Sequence, residues 1–144
     1  MLPQGYTLTG GGAFVDYTGA GNLLTASFPS SDTSWEVRSK DHDVSDPSTI
    51  TAFAIGMKHR VGDTSLERKV WNVTGPVGAH PTAQACIDPE WILSGGGAFD
   101  NWTGAGNLLT ASFPKGLCWV AAGKDHLHSS PANITAFAIG IRSP

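Results

Sequence analysis

The sequence predicts an all-β protein: a pseudo-twofold antiparallel sandwich or prism-like fold built from two four-strand repeats plus connecting strands. Three observations predict it. The chain repeats itself, its apolar residues alternate with period two, and its composition is that of short strands joined by turns. Residues 5–58 and 90–142 align with a single one-residue gap, placed before a tryptophan. Gly10-Gly-Gly-Ala-Phe14 returns as Gly95-Gly-Gly-Ala-Phe99, and the twelve residues Thr18 to Pro29 return unchanged as Thr103 to Pro114. Trp35 matches Trp119, Lys40-Asp-His42 matches Lys124-Asp-His126, and Ile50-Thr-Ala-Phe-Ala-Ile-Gly56 matches Ile134 to Gly140.

The alternation places four strands in each copy, at 5–14, 22–28, 34–40 and 50–58, and at 91–99, 107–113, 118–124 and 134–142. The second strand is the clearest: Leu24, Ala26 and Phe28 fall on one face and Leu23, Thr25 and Ser27 on the other, and Pro29 ends it. Ile50 to Gly56 is apolar or small on both faces, so it and its copy are expected to be central strands covered on both sides. Gly19, Gly21, Gly104 and Gly106 fall in the turn before the second strand, where φ > 0 costs glycine nothing. The triple glycine lacks the Lys-Ser/Thr and following helix of a phosphate loop, which leaves a bulge or a close approach of another group. Residues 59–89 are too long for a bare connection, and Leu66–Thr74 and Ala83–Ile87 can supply one or two further strands. A single domain, 1–144, accommodates all of this.

Composition bounds the function. With 18 Gly, 9 Pro and only 15% charged residues, no long helix is expected, and nine Lys and Arg with a net charge of −3 argue against nucleic acid. No apolar run is long enough to span a membrane, and Met1 to Gly5 lacks the charged and apolar regions of a signal peptide. Cys86 and Cys118 have no counterparts in the first copy; they form either one local bridge or, the plainer reading, two buried thiols. Two cysteines alone make no zinc site, and His126 with His128 is not repeated as Asp43-Val44, so no metal or cofactor is expected.

The pattern Gly-Gly-Gly-Ala, Gly-Asn-Leu-Leu-Thr-Ala-Ser, Trp, Lys-Asp-His, Ile-Thr-Ala-Phe-Ala-Ile-Gly resembles a bacterial tandem-repeat family found appended to secreted enzymes and toxins. That resemblance covers nearly the whole chain. It implies an extracellular accessory module and brings no site residues with it.

Candidate site residues are the polar and aromatic positions that both copies keep without an obvious need from a strand or turn. Lys40, Asp41 and His42, with Lys124, Asp125 and His126, lie at one end of the third strand, beside loops. Catalysis there would require a positioned Ser, Cys or second carboxylate near the His, and no signature supplies one, so no catalytic residue is assigned and an enzyme is not expected. Asp16, Tyr17 and Asn22, matched by Asn101, Trp102 and Asn107, suit a sugar: amides and carboxylates for hydroxyls, a ring for the C–H face. The opposing explanation is that the rings pack on loops and the Asn and Asp side chains pin backbone turns. Trp35 and Trp119 belong to the core. The expected role is a lectin-like carbohydrate-binding module with one weak site per repeat, multiplied by avidity and facing a cell-surface or polysaccharide glycan. The competing role is a structural or protein-interaction module, with homo-oligomerisation as a further option.

Overall fold

The computed structural model describes residues 1–144 as an all-β chain in which no helix is long and apolar enough to cross a membrane. The first repeat forms β1 (Tyr6–Asp16), β2 (Asn22–Pro29), β3 (Trp35–Asp41) and β4 (Thr49–Lys58). The connector forms the short pair β5 (Arg60–Val61) and β6 (Thr64–Ser65), then β7 (Glu67–Thr74) and β8 (Thr82–Cys86). The second repeat forms β9 (Ile92–Asp100), β10 (Asn107–Lys115), β11 (Cys118–Asp125) and β12 (Ile134–Arg142). Leu66–Thr74 and Ala83–Ile87, offered by the sequence as one or two further strands, become β7 and β8, and the short pair β5–β6 was not expected.

Within each repeat the first strand pairs with the fourth and the second with the third, all antiparallel: β1 with β4, β2 with β3, β9 with β12, β10 with β11. Each outer pair is bulged at one hydroxyl residue, Thr9 or Ser94, whose side chain donates to the carbonyl of Ile55 or Ile139. The bulge directly precedes the triple glycine. Gly11 and Gly96 then lie under the indoles of Trp35 and Trp119, where any Cβ would collide. Each Trp Nε1 donates to the serine of the second strand, Ser27 or Ser112, at 2.9 Å. The triple glycine is thus a platform for tryptophan, the close approach that the sequence pointed to.

The repeats join through β2 and β9, which pair at Ala26↔Phe99 and Ser27↔Ala98. The result is a five-stranded sheet, β3-β2-β9-β12-β7. Paired residues share a face, so Trp35 and Ser27 from the first repeat point to the same side as Gly96 and Ala98 from β9. Over that face pack β1-β4 and β10-β11-β8, giving a sandwich of two layers. The main core lies beneath β8 and β11, where Ala83, Ala85, Ile87, Ala121, Ile134, Ala136 and Ala138 surround Trp91. A smaller cluster joins Leu8, Trp35 and Ile139. The packed layer is continuous only in part: β1 and β10, the counterparts of β9 and β2, are not paired, and Gly11–Ala13 and Leu109–Ser112 line a cavity of about 350 Å³.

Two expectations need correction. Ile50–Gly56 is not covered on both sides. Its copy in β12 is a central strand, paired with β9 and β7 on its two edges and covered by β8 over one face while Thr135 and Phe137 stay half-buried, whereas β4 is an edge strand whose Phe53, Ile55 and Met57 are exposed. The cysteines are not free thiols: Cys86 and Cys118 face each other across β8 and β11 and are bonded. Antiparallel pairing sets them opposite one another, a register that spacing alone could not reveal.

Candidate functional site

The loops of the two repeats are built alike. Gly19, Gly21, Gly104 and Gly106 all take positive φ, and the amide of Gly21 or Gly106 is capped by Asp46 or Ser130. Asn22 then donates to Asp41 at 2.7 Å, and Asn107 to Asp125 at 2.8 Å, tying the start of the second strand to the end of the third. After Lys-Asp-His the chain reverses in a three-residue turn: Val44 N donates to His42 O and His128 N to His126 O, both at 2.7 Å, with Asp43 and Leu127 at φ near +60°. These two turns meet. His42 Nε2–H donates to the His126 carbonyl at 2.6 Å, the rings lie 5.2 Å apart, and His128 Nε2 is 3.0 Å from Asp43.

Lys40 crosses from one repeat to the other. Its ammonium donates to the Ala105 carbonyl at 2.7 Å and sits 5.1 Å from the centre of the Trp102 ring. Burial lowers its pKa, against the opposing fields of Asp43 and Asp41. The contact fixes the Gly-rich turn of the second repeat beside the first.

That junction leaves an open groove of about 920 Å³. Asn22, Asp41, Arg38 and Ser39 of the first repeat form one wall; Phe99, Asn101 and Trp102 of the second form the other. Trp102 is 38% exposed and lines this space. Four of the residues expected at a site, Asn22, Asp41, Asn101 and Trp102, are therefore brought together, in a groove that belongs to both repeats rather than to one each. Lys40 is not among the lining residues, though its ammonium lies over the Trp102 ring. Lys124 and His126, with Asn22, line a separate cleft of about 410 Å³ between the leucines of β2 and β10. Asp16 and Tyr17 stand exposed at the end of β1, outside the groove, and Asn107 is fully buried with Asp125 as its partner. His42 has its side chain buried in the inter-repeat contact.

Arg38, Ser39, Thr25, Ser48, Phe99 and Asp100 also line the groove. Repetition could not find most of them, because Ala122, Gly123 and Val15 stand where Arg38, Ser39 and Asp100 would recur. Asp100 is only 2% exposed, and neither carboxylate oxygen has a hydrogen-bond partner. Burial, reinforced by the charge of Asp125, pushes its pKa up to about 6. Its oxygens are sealed from solvent, so the carboxylate does not open into the groove. The groove lining contains no histidine or cysteine. No protein-family model, curated protein or solved structure matches the chain.

Proposed function

We propose that the chain is a non-enzymatic, lectin-like module that binds a glycan in the groove between its repeats. The observation that supports this is the convergence of Asn22, Asp41, Ser39, Arg38 and Asn101 with the partly exposed Trp102 in one groove. A pyranose presents hydroxyls at its rim and C–H bonds on its faces; the amides, carboxylate and guanidinium meet the first, the indole the second. An open groove suits an internal stretch of a polysaccharide better than a deep pocket would. Asp41 and Asn22 are already bonded to each other, so they are held in place before a ligand arrives. One groove per chain then replaces one site per repeat, and avidity comes from several chains on one surface.

Catalysis is not part of the proposal. Ser39 and Ser48 have no imidazole in the groove to activate them, and of its two carboxylates Asp41 is engaged with Asn22 while Asp100 is sealed. The Cys86–Cys118 bridge suits an oxidising, extracellular setting, where glycans are displayed.

The test is binding to an array of glycans displayed at high density. A hit should weaken about tenfold or more in Trp102→Ala, which removes the platform, and stay unchanged in Tyr17→Ala, which lies outside the groove. Absence of any hit, or a hit indifferent to Trp102, would remove the proposal.

A further inference from the structure

We propose that the free edge of β4 is a docking site for one extended strand of the β7 type, supplied by a partner polypeptide. Ile50–Gly56 and Ile134–Gly140 are the same seven residues in equivalent antiparallel strand pairs, yet their surroundings differ. Ile139 is fully buried and Ile55 is 60% exposed; Ala136 and Ala138 are fully buried, whereas Ala52 is exposed and Ala54 half-buried. The cause is the connector. β12 lies between β9 and β7, and β7 pairs with it along its length, from Thr135↔Thr74 to Arg142↔Glu67. β4 pairs with β1 alone.

An unpaired edge of this length is an open template of backbone donors and acceptors. The second repeat already displays the complex that this template forms, which fixes the chemistry of the occupant. Trp71 and Ile87 cover Gly140 there, while over Gly56 lies the Leu2 side chain. A bulky apolar residue opposite Ala54 would occupy the place of Trp71 and turn Leu2 aside. Charge sets the direction. Arg142 meets Glu67 at 2.5 Å and Glu90 at 3.8 Å, and its counterpart Lys58 is exposed with no acidic partner. The fitting strand therefore runs antiparallel to β4, with an acid opposite Lys58, an aromatic opposite Ala54 and a β-branched residue opposite Ala52, in the mode of strand addition to a sheet edge. The chain's own β7 is held by β12, which is why the strand must come from elsewhere.

The probe is a synthetic peptide with the sequence of Leu66 to Gly75, added to the intact chain and followed by backbone amide exchange. Amides of residues 50–58 should exchange about tenfold more slowly or better with saturating peptide. A peptide carrying Glu67→Lys should bind about two- to fivefold more weakly, and Lys58→Glu in the chain should restore its binding. The proposal is overturned if residues 50–58 gain no protection, or if only 134–142 respond because the peptide exchanges with the intramolecular β7. It is equally overturned if β4 is protected without peptide by a second copy, seen as a concentration-dependent dimer that Ile55→Lys abolishes.

Discussion

Asp100 has a pKa raised from the ordinary carboxylate value of 3.8 to about 6 by burial and by Asp125, so between these two pH values the folded chain holds a proton that the unfolded chain has released. Gly123 leaves the space in which the Asp100 carboxylate and the unpartnered Asn107 amide oxygen sit, since a Cβ there would strike both. The stability this group contributes is complete below the unfolded value and is lost as pH rises from about 4 to about 6. Asp100→Asn keeps the shape and removes the titration. Its unfolding free energy in urea should match the wild type near pH 4 and exceed it by up to roughly 3 kcal/mol at pH 8. Parallel pH profiles for the two proteins would contradict the assignment. Asp100 also marks what residue-level reading could not reach. Asn22, Asp41, Asn101 and Trp102 were legible because they are repeated and chemically conspicuous. Arg38, Ser39 and Asp100 occur in one copy only, and they acquire a role only when β2, β3 and β9 come side by side.

At the scale of the element, the two triple glycines offer a matched comparison. Gly97 lies between Phe137 and Phe28, whose rings stack 5.2 Å apart across it, and a Cβ there would meet the backbone of Ser27 and Phe28. Gly12 is its counterpart and has nothing within reach. Gly97→Ala should therefore lower stability by about 1–3 kcal/mol, while Gly12→Ala should be within about 0.5 kcal/mol of the wild type. Equal effects in thermal melts would mean that the repeats do not pack as described. The bridge gives a further prediction at this scale. It closes a loop with a sequence separation of 32, so replacing both Cys86 and Cys118 by Ser should cost about 2–4 kcal/mol in urea denaturation. The strands themselves were legible nearly to the residue, because alternation and Gly/Pro punctuation are local. Whether a strand is central or at an edge is not local: β4 and β12 share Ile-Thr-Ala-Phe-Ala-Ile-Gly, and the placement of β7 and β8 separates them.

At the scale of the whole molecule, duplication indicated two equivalent halves and one site in each. The chain folds instead as two halves made unequal by one connector. β7 and β8 complete the second repeat, β2 and β9 pair while β1 and β10 stay apart, and an open groove of about 920 Å³ forms where Lys40 and Trp102 bring the repeats together. Sequence identity speaks for the unit, not for the pairing between units, which depends on contacts distant along the chain. A composite groove also makes a distinct prediction: one ligand per chain, not two. The most direct measurement is an NMR titration with the best-binding glycan, following the indole N–H signals of the five tryptophans. A composite groove gives a single binding site that moves the Trp102 signal far more than those of Trp35, Trp71, Trp91 and Trp119. Two equivalent sites per chain, or shifts that leave Trp102 in place, would contradict it.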